Sequence, residues 1–263
     1  MKKILVVAHP DDEILFFSSL LDKVDKIIVC FGPSKNQTVS KGREKLQSQY
    51  PLSTVQWLNI QESDTHLSAD WNNPIVTDAG LKVRYNKEKY QENFKKLVNN
   101  LESILEEYDE IYTHNPWGEY GHEEHVSVFK AVCSLVGEKD KSVYVSSYLS
   151  DRSSILFNIQ KHLLESDIIV GKISQDFCVK IKDLYINAEC WTFYKDYEWP
   201  QSEIFIKVKT HVPEIKKQEN VTSTNPPTML FTKSFKRNIL SNIVSRILPV
   251  VLKKQIKLIL KIR

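Results

Sequence analysis

The chain has 263 residues, which is enough for one globular domain with a full core. Its composition, 41% hydrophobic and 26% charged, is that of a globular protein and unlike that of a disordered chain. Its four cysteines are scattered without a CxxC pair, which argues against a disulfide framework or a thiolate zinc site and favours a reducing compartment. The net charge of +3 is uneven, because all 33 acidic residues lie at or before Glu219, whereas nine of the 36 basic residues follow it.

Targeting and membrane-spanning segments are not expected in this sequence. Lys2 and Lys3 resemble the start of a signal peptide, but the apolar stretch after them is too short. No run of about 18 or more consecutive apolar residues indicates a transmembrane helix. We therefore predict a cytoplasmic protein.

The first polar cluster follows the first strand. Residues 4–8 form an apolar run rich in β-branched side chains, which predicts a buried parallel strand. The run stops at HPDDE, residues 9–13, and a helix is predicted to begin directly afterwards. One imidazole and three carboxylates beside a buried strand are costly unless a charge compensates them, and a metal ion is the obvious candidate.

Strands alternate with helices through the rest of the first half. The pattern predicts strands at residues 25–31, 54–58, 110–113 and 143–147, and helices at residues 38–50, 86–108 and 122–136. Polar residues 62–83 are expected to form a long loop over the carboxyl edge of the sheet. This alternation predicts an α/β, Rossmann-like fold with a mainly parallel sheet flanked by helices.

The second half is less regular. Residues 167–172 and 205–209 are candidate strands, and residues 180–190 are a candidate helix. Residues 190–200, CWTFYKDYEWP, are dense in aromatic side chains. We expect them to serve mainly as core and lid packing, with a stacking surface for a sugar ring as the alternative.

The second polar cluster follows the predicted strand at residues 110–113. The stretch IYTHNPWGEYGHEEH, residues 111–125, brings His114, His122 and His125 to the start of a helix. A catalytic zinc takes three ligands from His, Asp and Glu and leaves one position for water. His9, Asp12 and His125 make such a set without cysteine.

The remaining groups suit acid–base roles. Asp11 could accept the proton of a metal-bound water, His122 could be a second acid–base group or stabilise an oxyanion, and Glu124 could orient a histidine. Each cluster alone could instead be a helix cap or an acidic first turn. Two clusters at neighbouring strand ends are much harder to explain in that way.

The two clusters together resemble signatures of a known family. The sequence AHPDDE, residues 8–13, and the sequence YGHEEH, residues 120–125, resemble the two motifs of the LmbE-like/PIG-L family of zinc-dependent N-acetylglucosamine de-N-acetylases. The second motif departs from the usual YGHPDH by having Glu123 for Pro and Glu124 for Asp. The resemblance covers about the first 150 residues and implies a Rossmann-like fold there.

The resemblance also implies roles for individual residues. It implies that His9, Asp12 and His125 are zinc ligands and that Asp11 is the general base. His122 would stabilise the oxyanion with support from Glu124. The candidate substrate contacts are Arg43, Tyr120 and Trp117.

The expected reaction is removal of an N-acetyl group from an N-acetylglucosamine-type sugar, with Zn²⁺ as cofactor, although His and Asp ligands also suit other divalent metals. The alternatives are a small soluble glycoside, such as a thiol precursor, as substrate, or a zinc-bearing sugar-binding protein without turnover. A nicotinamide enzyme and a serine hydrolase are disfavoured, because the sequence lacks a glycine-rich phosphate turn after the first strand and a G-x-S-x-G motif. We expect no nucleic-acid partner.

The last prediction concerns the basic tail. We divide the chain into a deacetylase domain, residues 1–232, and a basic amphipathic helical tail, residues 233–263. In the tail, Lys253, Lys254, Lys257 and Lys261 fall on one narrow helical face, with apolar residues around the rest. This pattern favours peripheral attachment to an anionic membrane surface at the cytoplasmic face, which would bring the site to a lipid-linked or polymeric substrate. Docking on the domain or in a dimer is the alternative.

Overall fold

The computed structural model describes residues 1–137, 139–210 and 228–229. Its strands are β1 Lys3–Val7, β2 Lys26–Phe31, β3 Val55–Ile60, β4 Val76–Thr77, β5 Gly80–Leu81, β6 Glu110–Thr113, β7 Ser142–Ser146, β8 Tyr148–Leu149, β9 Leu164–Lys172, β10 Ser202–Val208 and β11 Thr228–Met229. Its helices are α1 Asp12–Phe16, α2 Gln37–Gln47, α3 Lys87–Glu106, α4 Glu123–Val136, α5 Ser154–Gln160 and α6 Gln175–Asn187.

Seven strands form the central sheet in the order β3–β2–β1–β6–β7–β10–β9. Strands β3, β2, β1, β6 and β7 are parallel to their neighbours in this order. Strand β10 is antiparallel to both β7 and β9. The predicted α/β fold with a mainly parallel sheet is therefore confirmed. The chain runs outward from β1 to β3 on one side and from β6 to β7 on the other, so the order reverses between β1 and β6.

The core explains why these elements form. The central strands are buried on both faces, as expected of strands covered by helices on both sides. Leu97, Leu101 and Leu105 recur every four residues along α3 and are buried on the sheet with α4. Each such side chain contributes about 1.5–3 kcal/mol by leaving water. Helix α6 packs against α1 and α2.

Three predicted elements of the second half differ in their bounds. Strand β9 begins at Leu164 rather than at residue 167, strand β10 begins at Ser202 rather than at residue 205, and α6 spans Gln175–Asn187 rather than residues 180–190. Strand β9 lies at the edge of the sheet and most of its side chains reach solvent, so it lacks the apolar run that marks a central strand. Helix α5 was not predicted, because seven residues are too few to show a helical period.

The basic tail, residues 233–263, lies outside the described residues, so its boundary at residue 232 and its helical pattern stay predictions. Within the described part of the chain, every helix is too short or too polar to cross a bilayer.

Candidate metal centre at the carboxyl edge of the sheet

The two polar clusters meet where the strand order reverses. The register pairs Val6 of β1 with Thr113 of β6, so the residues that follow these strands emerge side by side. Thr113 Oγ1 donates to the Val6 carbonyl at 2.9 Å, and the Ala8 N–H donates to His114 Nε2 at 2.8 Å. Ligands of open α/β sheets bind at such a switch point.

The turn after β1 places its two aspartates differently. Asp12 begins α1, and its Oδ2 accepts a hydrogen bond from the His9 backbone N–H at 2.7 Å. Asp11 has a φ of 94°, a left-handed conformation that is rare outside glycine and that the surroundings must enforce. The Asp11 N–H supplies part of that restraint, because it donates to Glu13 Oε2 at 3.0 Å and to the Tyr185 hydroxyl at 2.9 Å.

The turn after β6 is organised by Glu119, which is fully buried. Its Oε2 accepts hydrogen bonds from His125 Nδ1 at 2.8 Å and His114 Nδ1 at 3.1 Å. Its Oε1 accepts from the Asn115 N–H at 2.9 Å and from the Ser146 hydroxyl. Burial opposes ionisation, but the hydrogen bonds from the two histidines outweigh it and lower the pKa of Glu119 to about 2.

Side chains from both turns converge on one oxygen of Asp12. Asp12 Oδ2 lies 3.2 Å from His9 Nδ1 and 3.3 Å from His125 Nε2. All three side chains are almost completely buried. The ligand atoms of His9, His122 and His125 lie within 4.8 Å of one another, and so do those of Asp12, His114 and His125.

The hydrogen bonds of the two rings decide which atoms face this point. His9 Nε2 lies 2.9 Å from Glu124 Oε2, so in the neutral ring Nε2 donates and Nδ1 presents a lone pair to Asp12. His125 Nδ1 donates to Glu119, so its Nε2 presents a lone pair, and among the described residues this buried atom has no hydrogen-bond partner. Two lone pairs and a carboxylate oxygen that face one another fit a divalent cation, and each ring has the carboxylate partner usual for a metal-bound histidine.

The other two histidines are engaged differently. His114 Nε2 accepts the Ala8 N–H, so its lone pair is already occupied. His122 is the N-cap residue of α4, and its Nδ1 accepts the Glu124 N–H at 3.2 Å. Burial holds the pKa of His122 well below its usual value. Because Nδ1 accepts a hydrogen bond, the neutral ring carries its proton on Nε2. His122 can therefore donate a hydrogen bond into the site.

Asp11 is held by a residue that is distant in the sequence. Its Oδ2 accepts hydrogen bonds from Thr192 Oγ1 at 2.7 Å and from the Thr192 N–H at 3.2 Å. Burial raises the pKa of Asp11 to about 8, and the adjacent Asp12 carboxylate adds to this, while Arg43 partly offsets it.

The resemblance implied that Glu124 supports His122, but the hydrogen bonds of the Glu124 carboxylate go to other residues. Its Oε2 bonds His9, and its Oε1 accepts from the Ser63 N–H at 2.6 Å and the Ser63 hydroxyl at 2.7 Å. It is the backbone N–H of Glu124, and not its carboxylate, that donates to the His122 ring. Glu124 therefore orients His9 and links it to the loop that begins after β3.

The three predicted substrate contacts differ in how exposed they are and in whether they lie at the site. Tyr120 is half-buried, and its ring packs near His66, His125 and Phe193 at the site. Arg43 is 4% exposed, and its Nη1 donates to the Gly32 carbonyl and to Glu62.

The expectation for Trp117 is wrong. Its side chain is fully buried, its ring packs on Phe157, and its indole N–H donates to the Tyr148 carbonyl at 2.6 Å. Trp117 is a core residue and is closed to a substrate. An aromatic side chain inside a polar loop is ambiguous from sequence, because only the packing decides which way it turns.

Glu123, which replaces the usual proline, has a role that the sequence did not indicate. Its carboxylate accepts hydrogen bonds from the Ala69 N–H at 2.8 Å, the Leu67 N–H at 3.1 Å and the Trp71 indole N–H at 3.1 Å. It thereby fastens the loop after β3 to the first turn of α4. That loop places His66 on His122, with ring centroids 4.6 Å apart. The polarity of residues 62–83 predicted a functional loop, but it did not reveal that Glu123 anchors this loop.

Known proteins resemble this chain in sequence and in fold. A family model described as PIG-L, GlcNAc-PI de-N-acetylase, matches residues 4–136, which contain both polar turns. An uncharacterized protein of Acanthamoeba polyphaga mimivirus is 24% identical over 187 residues, which cover 65% of this chain and 74% of that protein.

Two crystal structures share the fold. One is a deacetylase–teicoplanin complex from teicoplanin biosynthesis, at 12% identity and a TM-score of 0.50, covering 79% of this chain and 98% of that chain. The other is a deacetylase–bog complex from the same pathway, at 13% identity and a TM-score of 0.51, covering 80% of this chain and 98% of that chain. At this identity the likeness concerns the fold.

Proposed function

Because the chain belongs to the PIG-L family of GlcNAc-PI de-N-acetylases, we propose that it removes the acetyl group from an N-acetylglucosamine-type sugar with the help of a divalent cation, zinc in the first instance. The observation that supports this most directly is the convergence of two imidazole lone pairs, those of His9 and His125, on Asp12 Oδ2. These three residues are the proposed metal ligands. When bound, the cation would supply Lewis acidity that polarises the amide carbonyl and acidifies water.

The proposed roles of the remaining groups follow from their protons. Asp11 takes the proton from the attacking water and delivers it to the departing amine nitrogen. The Nε2–H of His122 donates to the carbonyl oxygen as negative charge develops there. Water adds to the carbonyl carbon, the C–N bond breaks, and the products are acetate and a free amino sugar.

We propose a lipid-linked or polymeric glycoconjugate as the substrate. The family description names N-acetylglucosaminyl-phosphatidylinositol, and the basic tail of this chain would suit an anionic surface. The half-buried rings of Tyr120 and Phe193, with centroids 5.6 Å apart, offer an apolar edge beside the site.

The test is acetate release by the purified, metal-loaded full chain. The panel contains N-acetylglucosaminyl-phosphatidylinositol, a chitin oligosaccharide and small soluble N-acetylglucosaminides, with Asp11→Asn as the matched control. We expect turnover on at least one substrate and a loss of roughly a hundredfold or more in Asp11→Asn with metal retained. Faster turnover on the small glycosides would point to the soluble-substrate alternative. Metal loading without acetate release from any of them would contradict the proposal.

The tail supports a second, separate proposal, that residues 233–263 attach the enzyme to an anionic membrane at the cytoplasmic face. Nine basic residues and no acidic residue follow Glu219, whereas a merely solvated surface mixes both signs. Each Lys or Arg near such a surface contributes on the order of 1 kcal/mol.

Co-sedimentation with phosphatidylserine vesicles tests the attachment. We compare the full chain with a variant that has glutamine at Lys253, Lys254, Lys257 and Lys261. The matched control carries the same change at four exposed lysines of the domain, Lys41, Lys45, Lys82 and Lys95. Only the tail variant should stay in the supernatant, and equal behaviour of both variants would exclude the tail as the membrane contact.

A further inference from the structure

Thr192, in the second half of the chain, contacts a side chain of the candidate site directly. This residue follows Cys190 and Trp191 in the aromatic segment and lies 181 positions after Asp11. Its hydroxyl and its backbone N–H both donate to Asp11 Oδ2, at 2.7 Å and 3.2 Å. Two donors on one carboxylate oxygen fix the direction of that carboxyl group.

The aromatic segment is itself fastened to the helix that begins at Asp12. The Trp199 indole N–H donates to the Ile14 carbonyl at 2.6 Å, and the Tyr197 hydroxyl donates to the Leu15 carbonyl at 3.2 Å. Because both anchors lie on α1, the distance from Thr192 to the turn after β1 is set by direct contacts. The position of Thr192 is therefore not that of a free loop tip, although its side chain is exposed.

The two ends of Asp11 are restrained by different groups. Glu13 and Tyr185 hold its backbone N–H, which stabilises the left-handed φ of 94°. Those bonds do not set the side-chain torsion of Asp11, and Thr192 supplies that restraint. A proton-transfer group must be held close to its productive geometry, since a small displacement costs much of the rate.

We propose that Thr192 is a positioning residue that holds the Asp11 carboxylate toward the reacting water, an inference that rests on the proposed deacetylase function. It makes the segment Cys190–Trp199, for which no catalytic role was expected, part of the active site. The simpler alternative is that the hydrogen bond only stabilises the loop. The two differ in whether the effect of Thr192 passes through Asp11.

The first test compares Thr192→Val, which keeps the shape but lacks the hydroxyl, with Thr192→Ser, which keeps the donor. Thr192→Val should lower kcat by roughly tenfold with KM changed less than about twofold, and Thr192→Ser should restore most of the rate. The matched control is Thr210→Val, which removes a 2.6 Å hydrogen bond from Thr210 Oγ1 to the Gly137 carbonyl, away from the site, and should leave kcat unchanged. Metal content should be the same in all variants.

The second test repeats Thr192→Val in an Asp11→Asn background. If Thr192 acts through Asp11, the second substitution should cost little further rate, because the group it positions is already disabled. Wild-type kcat in Thr192→Val, or the same tenfold loss in both backgrounds, would overturn the proposal. An inactive wild-type enzyme would instead overturn the deacetylase function on which it rests.

Discussion

The two turns that build the site are held in place in opposite ways. In the turn after β6, Glu119 bonds His114, Asn115 and His125, all within six residues of itself. In the turn after β1, Asp11 depends on Tyr185 and Thr192, which lie more than 170 positions away. One turn is braced largely by its own sequence, whereas the other supplies reactive groups that the rest of the chain must hold. The difference suggests where substitutions will affect metal binding and where they will affect turnover.

The largest effect is expected where the two turns meet. His9→Ala and His125→Ala should each lose the bound metal, because each removes a lone pair that faces Asp12. Activity should fall by about a thousandfold or more, as the Lewis acid is lost with the metal. Metal analysis by mass spectrometry and acetate release check this. His162→Ala, in which the lost ring bonds the Ile159 carbonyl, is the control. Stoichiometric metal in both site variants would refute the ligand assignment.

An intermediate effect is expected in the turn after β6, which residues close in sequence hold in place. Glu119→Gln keeps the size of the side chain but removes the charge that orients His125, so metal affinity should fall by about 10–100-fold. The matched control is Glu203→Gln, another buried glutamate, which bonds Ser18 and Ser19 instead. Both variants should be less stable in thermal unfolding, but only Glu119→Gln should bind metal more weakly. Equal affinity in the two variants would show that Glu119 is merely structural.

The smallest effect is expected in the turn after β1, which residues distant in sequence hold in place. The hydroxyls of Tyr50 and Tyr185 both donate to Glu13 Oε1, at 2.7 Å and 2.6 Å, but only Tyr185 also accepts the Asp11 N–H. Tyr185→Phe should lower kcat by roughly three- to tenfold, as expected for a lost hydrogen bond of about 1 kcal/mol. Tyr50→Phe should stay near the wild-type rate. If both variants lose the same rate, the contact with the Asp11 backbone is irrelevant to turnover.

Much of the fold was predictable, because its signals are local. The apolar run of β1, the buried residues of β6 and the four-residue spacing along α3 each reflect burial of one element against its neighbours, and this leaves a period in the sequence. The carboxyl-edge position of both polar clusters followed from the strand–helix alternation alone. The edge strand β9 and the short helix α5 were missed or misplaced because they bury too little to leave such a period.

For the site, the sequence predicted some features and not others. Residue type and spacing were enough to predict which ionisable groups crowd the ends of β1 and β6, because the chemistry of a ligand depends on residue type and on spacing over a few positions. By contrast, packing in three dimensions is what buries Trp117 in the core, brings Glu124 to His9 instead of His122, and brings Thr192 to Asp11. A side chain's direction, and contacts across 100 or more positions, depend on how elements pack. Because the free energy of that packing is shared among many residues, no single stretch of sequence records it.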